Sequence, residues 1–305
     1  GAKHIDAGTM QVGTLTALIS YTMQVIMSFL MLSMLSIMAP RAIISINRIK
    51  EVLNKENTIK ETKNLPFDND KIGELEFKNV SFKYPDGDEY VLENLNFKVP
   101  KGSTLAIIGS TGSGKSTIVK LIDRFFDVTE GSILVNGVDV KDLSFETLRH
   151  EIGMVPQKGM LFSGTIESNL KFGNDSLSEE DMEKSLKVAC AYDFVMEKNE
   201  GLQYPINQGG TNVSGGQRQR LCIARAVAMN PDIYVFDDSF SALDYKTDAS
   251  VRKNLNKYCE SATKIIVAQR VATVMNADQI LVLDEGKVAG LGTHEYLYKN
   301  CKVYK

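Results

Sequence analysis

The chain is poor in the residues that staple or metallate small folds. Its 305 residues include four cysteines and three histidines. Cys190, Cys222, Cys259 and Cys301 lie far apart, without CxxC or Cys/His spacing. That pattern excludes a disulfide framework and a zinc site, and reads as reduced thiols facing a cytosol. Neither charge is in excess, since 35 Lys and Arg stand against 38 Asp and Glu, a net charge of -3. No basic bias is available to hold a nucleic acid, so none is expected as a partner. Internal repeats and low-complexity tracts are also lacking.

Charge is missing altogether in one place. From Ala7 to Pro40 there is no charged residue over 34 positions. Within that run, residues 15–38 suffice to cross a bilayer core, which needs roughly 20 apolar residues. The run is too long for the apolar part of a signal peptide, and no small-residue cleavage site follows it. Arg41, Arg48 and Lys50 follow while only Lys3 and Asp6 precede, so the C-terminal flank is expected in the cytoplasm. Met23, Met27, Met31, Met34 and Met38 fall on one helical face. Ordinary packing or lipid contact explains such a stripe first. Gln24 and Ser28 beside it give weaker support to a pathway for amphiphilic compounds. The chain opens at Gly1 without methionine, directly ahead of this segment, which suggests a truncated or processed product.

Past the apolar run the spacing predicts a helical extension over 41–53, with Ile46, Ile49 and Leu53 on one face. Residues 54–73 are polar and read as an exposed linker. A β-rich opening follows, with Leu75, Phe77, Val80 and Phe82, then 92–99. Thereafter short apolar strands (104–108, 233–236, 264–268, 279–283) alternate with helical stretches (115–123, 214–229). That alternation predicts an α/β fold with a parallel sheet covered on both faces.

Gly109-Ser110-Thr111-Gly112-Ser113-Gly114-Lys115-Ser116 fits GxxxxGK[ST], preceded by an apolar strand and followed by a helix. Glycines let the backbone curl so that N–H groups point inward, and the helix N-terminus adds partial positive charge. The loop and the following Thr117 therefore form a candidate phosphate cradle for ATP. Lys115 supplies a full charge to the β- and γ-phosphates, and Ser116 a hydroxyl ligand for Mg²⁺. Downstream, the strand Ile233-Tyr234-Val235-Phe236 ends in Asp237, and a carboxylate delivered by a sheet is what a Mg²⁺ site needs.

With these motifs in this order the chain resembles the ATP-binding cassette (ABC) transporters, specifically exporters with membrane helices fused ahead of the cassette. The resemblance implies a P-loop NTPase cassette over 74–305, with a RecA-like parallel sheet, an N-terminal antiparallel β subdomain and a helical subdomain at about 158–230. It implies six membrane helices per subunit, of which this chain carries what looks like the sixth. Tyr84 is similar to the aromatic that stacks on adenine, and Gln157 to the glutamine that touches Mg²⁺ and the attacking water. Ser214-Gly215-Gly216-Gln217 is similar to the signature that caps a partner's γ-phosphate from a helix N-terminus. Asp244, closing Ser241-Ala242-Leu243-Asp244, is similar to the end of the loop that runs between the two sites of the family.

Two positions depart from the family pattern. Where a glutamate usually polarises the attacking water stands Asp238, one methylene shorter, and roughly an ångström of misplacement can cost on the order of a hundredfold in rate. Where a histidine normally contacts the γ-phosphate stands Gln269, which donates a hydrogen bond but carries no proton or charge. Asp238, Gln269 and Gln157 are thus the candidate catalytic residues of a weakened site, beside an intact signature. The expected reading is an exporter subunit in the cell membrane, its cassette in the cytoplasm, contacting lipid and a small amphiphilic substrate (drug, lipid or peptide). Its partner is expected to be a second, different half-transporter subunit. The alternatives are a homodimer with slow hydrolysis, a soluble cassette ATPase of DNA repair or translation, and a nucleotide sensor without turnover.

Overall fold

The computed structural model describes residues 1–55, 57–61, 63–269 and 274–305. It divides into two compact units, Gly1–Thr58 and Ile59–Lys305. The first holds a short helix α1 (Ala2–Asp6) and a 42-residue helix α2 (Val12–Leu53). At 1.5 Å per residue α2 is about 63 Å long, and it is long and apolar enough to cross a membrane. Five of its hydroxyls are satisfied inside the helix: those of Thr16, Thr22, Ser28, Ser36 and Ser45 each donate to the carbonyl four residues earlier. Apolar surroundings would leave those five groups paired. The helix runs through Pro40 without a break, although proline has no N–H to offer the Ser36 carbonyl. The predicted span and its extension are one element. None of its residues is buried within its own unit, and the five methionines are 62–69 % exposed.

The second unit is built on two sheets. β1 (Leu75–Phe82), β2 (Leu92–Val99), β4 (Glu130–Val135) and β5 (Val138–Asp139) form an antiparallel sheet of order β2-β1-β4-β5. A six-stranded sheet has the order β12-β11-β3-β10-β9-β6. Its strands are β3 (Thr104–Gly109), β6 (Ile152–Val155), β9 (Ile233–Asp237), β10 (Thr263–Val267), β11 (Gln279–Asp284) and β12 (Lys287–Gly292). β7 (Gly164–Thr165) and β8 (Pro205–Ile206) make a separate ribbon. The α-helices bounded among the described residues are α3 (Lys115–Ile122), α4 (Phe145–Glu151), α5 (Ile166–Leu170), α6 (Glu179–Val188), α7 (Tyr192–Met196), α8 (Gly215–Ala228), α9 (Tyr245–Tyr258) and α10 (His294–Asn300).

The expected parallel sheet is present but mixed, because β12 returns antiparallel beside β11. The reason is local. Glu285 (φ 45°) and Gly286 (φ 77°) form a two-residue connection with both φ positive, the geometry that folds a strand straight back. Asn136 (φ 53°) and Gly137 (φ 80°) do the same between β4 and β5.

Leu105 and Ile107 on one face of β3 join Ile118, Leu121 and the inner side of the antiparallel sheet in one core. Ala106 and Ile108 on the other face join Ile280, Val282 and Leu297 in another. A strand buried on both faces reads as a continuous apolar run, and each such side chain is worth about 1.5–3 kcal/mol. A third core gathers α6 and α8 around Val155, Tyr234 and Phe236.

The predicted linker 54–73 needs a correction along its second half. Leu65 N–H donates to Asp142 O at 2.9 Å, Asp68 N–H to Asn136 O at 3.1 Å, and Phe67 packs against the first core. Arg124, 2 % exposed, donates to Lys60 O at 3.1 Å and also to Val140 O, Leu143 O and Asp127. A buried guanidinium needs several acceptors, and the incoming chain supplies one of them.

Burial pushes the Asp123 carboxyl up to about 7, against the pull of Arg149. In the unfolded chain it titrates near 4, so between those values the native state binds the extra proton. The stability it confers is present below about pH 4 and drains as pH rises to about 7. Denaturant titrations across that range should show the loss, and Asp123→Asn should lessen it, leaving the share of Glu151, which burial and Asp232 also push up to about 7.

Candidate nucleotide site

The site lies where the strands of the six-stranded sheet end. In the loop from β3 to α3, a Cβ on residue 109 would sit 2.3 Å from Leu283 O, and one on residue 114 would sit 2.5 Å from the Leu92 side chain. Gly112 (φ 86°) and Gly114 (φ 100°) use backbone conformations that side chains disfavour. Gly114 caps α3 without any side-chain acceptor, so the helix dipole is left for an anion. Lys115 Nζ folds back to Gly109 O (2.9 Å), Ser110 O (2.7 Å) and Ser113 Oγ (3.4 Å). Partial burial lowers its pKa, while Asp237 and Asp238 hold it up.

Parallel pairing aligns Asp237 at the end of β9 with Val267 at the end of β10. Ser116 Oγ donates to Asp237 Oδ1 at 3.3 Å. Burial raises the Asp237 pKa, eased by the Ser116 hydrogen bond. Asp238 then turns into the left-handed region (φ 46°), and its N–H donates to Val267 O at 3.0 Å. Its Oδ2 accepts from Gln157 Nε2 (3.2 Å) and from Gln269 Nε2 (2.8 Å). A hollow of about 270 Å³ is lined by Thr111, Gly112, Gly114, Lys115, Ser116, Thr117, Gln157, Asp237, Asp238 and Gln269. The phosphate-loop residues and those from three other strand ends are therefore brought together.

The donor set suits Mg²⁺. A hydroxyl, a carboxylate and an amide face one hollow, and Mg²⁺ takes one or two carboxylates and completes its shell with phosphate oxygens and water. Ser116, Asp237 and Gln157 would hold the ion.

Tyr84 stands beside the loop rather than in the hollow. Its hydroxyl meets Thr117 Oγ1 at 3.1 Å, and its ring packs edge-on against Phe82 and Phe126. Ser214, Gly215, Gly216, Gln217 and Asp244 lie outside the hollow too. Ser214 Oγ accepts from Gln217 N–H (3.2 Å) and Gln217 Oε1 from Ser214 N–H (3.0 Å), a reciprocal cap on α8. A Cβ on Gly215 would meet nothing, and one on Gly216 would lie 3.6 Å from Ala242 O. Asp244 caps α9 through Thr247 N–H at 3.0 Å. A larger hollow of about 480 Å³, lined by Phe240, Tyr245 and Lys264 among others, contains none of the predicted residues.

Two residues that matter to the site were not singled out from sequence. Gln219 of α8, 2 % exposed, accepts from Gly159 N–H (2.9 Å) and donates to Pro156 O (3.1 Å), bracketing Gln157. Ser239, fully buried, donates to Val155 O at 2.6 Å, just before that loop. A polar residue at a helix position that faces the core was the available signal for Gln219.

A nucleotide-binding α/β domain with a glycine-rich phosphate loop is the class so defined. Residues 92–241 match the family described as ABC transporter. The cassette is thus similar to the ATP-binding domain of ABC transporters, exporters among them. The chain is 46 % identical over 308 residues to an uncharacterized ABC transporter ATP-binding protein of Mycobacterium tuberculosis, covering 100 % of this chain and 53 % of that protein. It is 37 % identical over 298 residues to the alpha-hemolysin translocation ATP-binding protein HlyB of Escherichia coli O157:H7, covering 97 % and 42 %. A bacterial Atm1-family ABC exporter with ATP bound superposes with a TM-score of 0.80 at 32 % identity, covering 97 % of this chain and 52 % of that one. The chain thus spans about half the length of its first relatives.

Replacing Gln219 by Ala would leave the Gly159 N–H and Pro156 carbonyl without their partner, at a cost of roughly 1–3 kcal/mol. Hydrogen exchange at Gly159 should quicken, while amides of the antiparallel sheet keep their protection.

Proposed function

We propose that this chain is the ATP-binding part of an ABC exporter subunit. Binding and hydrolysis of ATP between two cassettes would drive export of an amphiphilic drug, lipid or peptide. The observation that carries the reading is the single hollow shared by Lys115, Ser116, Gln157 and Asp237. The 42-residue apolar helix in the same chain supports a membrane protein. Arg41, Arg48 and Lys50 after its apolar stretch support a cytoplasmic cassette. The intact protein is then multi-pass, in contact with lipid. A soluble ATPase of repair or translation would have no use for that helix.

In this reading the loop N–H groups and the Lys115 ammonium hold the phosphates, and Tyr84 supplies a ring for adenine. Mg²⁺, when bound, neutralises charge on the phosphates. Ser214, Gly215, Gly216, Gln217 and Asp244 lie outside the chain's own hollow and serve the nucleotide of a second cassette. The donor groups of α8's first turn would cap that nucleotide's terminal phosphate.

Hydrolysis at the chain's own phosphate loop is impaired. Asp238 is short for a water-polarising base, and Gln269 offers an amide where a proton-carrying imidazole would stand. A weak site beside a sound signature suits a heterodimer whose partner supplies the competent glutamate and histidine.

Two experiments test this. Asp238→Glu with Gln269→His in the full-length assembly should raise site-resolved ATP hydrolysis here by about tenfold or more; unchanged turnover would refute impairment by these residues. Capture of the full-length subunit from its native membrane should yield a second, different cassette subunit in equal amount. Recovery of its own copies alone would make it a homodimer.

A further inference from the structure

Asp238 makes a pair of hydrogen bonds that a failed base would have no reason to make. The ends of three neighbouring strands converge on its Oδ2. Gln157 follows β6, Asp238 follows β9 and Gln269 follows β10, and both amides donate to the same oxygen, at 3.2 and 2.8 Å. The backbone holds the carboxylate there, with φ at 46° and its N–H on Val267 O at 3.0 Å. A carboxylate oxygen has two lone pairs in plane, and both are used.

This arrangement decides which way round the Gln157 amide sits. An ionised carboxylate accepts and cannot donate, so it binds the NH₂ end and repels the carbonyl end. Oε1 of Gln157 is left with no hydrogen bond among the described residues, on a side chain that shares the hollow with Ser116 and Asp237. Gln269 fixes the carboxylate's own rotation from the other side. We infer that Asp238 is a positioning residue: clamped by Gln269, it orients Gln157 so that the amide oxygen is presented to a divalent cation bound with nucleotide. The inference rests on the assignment of this hollow to Mg²⁺ and ATP, and not on whether the site hydrolyses.

The clamp would favour retention. A preset oxygen ligand strengthens cation binding, while the carboxylate that could have activated water is occupied by two donors. Outer partners that orient metal ligands typically contribute 10–100-fold in metal affinity.

The test uses the full-length subunit in its assembly, with the partner's own nucleotide site disabled, and a hydrolysis-resistant ATP analogue titrated at fixed Mg²⁺ concentrations. Asp238→Ala should raise the Mg²⁺ concentration for half-maximal analogue binding by roughly 10–100-fold. Asp238→Asn, which keeps one acceptor oxygen and tolerates the left-handed backbone, should raise it less, and Asp238→Glu least. Added to Gln157→Ala, the Asp238→Ala change should have no further effect. A through-space effect of the charge alone would persist in that background, so additivity would overturn the inference. An unchanged Mg²⁺ dependence in both Asp238→Ala and Asp238→Asn would overturn it as well. Hydrolysis does not enter this readout, so a failed rescue of turnover by Asp238→Glu with Gln269→His leaves it standing. Loss of all analogue binding in Lys115→Ala checks the nucleotide assignment separately, and retained binding there would remove the inference's basis.

Discussion

Everything at the nucleotide site hangs on the register of five parallel strands. Val267 of β10 lies opposite Ile107 of β3 on one side and Asp237 of β9 on the other. Val155 of β6 lies opposite Phe236, and Leu283 of β11 opposite Gly109. Side chains alternate along a strand, so a slip of one residue would send Asp237 into a core and bring an apolar neighbour to the phosphate loop. The buried faces forbid that slip. Ile107, Val235 and Ile265 fill one layer, and Tyr234 and Phe236 another. The chemistry is polar, but its alignment is enforced by apolar packing.

Much of this was legible in the sequence. The phosphate loop, the strand ending in Asp237 and the 215–228 helix are each marked by an apolar run or a glycine pattern with a fixed mechanical meaning. The two hairpin turns at Asn136-Gly137 and Glu285-Gly286 were legible in principle, since each ends in a glycine between apolar runs. β12 was not anticipated, and that is why the sheet proved mixed. Helices α4 to α7 were not delimited one by one for a different reason. They are 5 to 10 residues long, too short for an apolar period to stand out, and tertiary packing rather than propensity holds them.

The contacts around Gln157 could not have been read from spacing. Gln219 and Ser239 are separated from the loop they hold by 60 and 84 positions. For Gln219 the helical pattern signals only that it faces the core, not what it holds, and nothing local distinguishes Ser239 from a polar surface residue. The hydrogen bonds to Asp238 are of the same kind. In the sequence Asp238 and Gln269 stand 31 positions apart, whereas only the fold shows that their side chains touch each other. Two positions that look independent in the chain form one unit in space.

The segment from Ile59 to Gly73 carries a consequence for modularity. Sequence composition marks it as connective tissue, yet the buried Arg124 takes its Lys60 carbonyl as an acceptor, and Phe67 fills part of a core. The seam between the two halves of the chain therefore lies before Ile59, not at the first strand. A chimera joined at residue 73 would bring a foreign collar to a native cassette, with another side chain in the place of Phe67 against the core. One joined at Thr58 would keep the collar with the body it fits. Recombination between related chains, in the laboratory or in evolution, should find that earlier seam the easier one to cut.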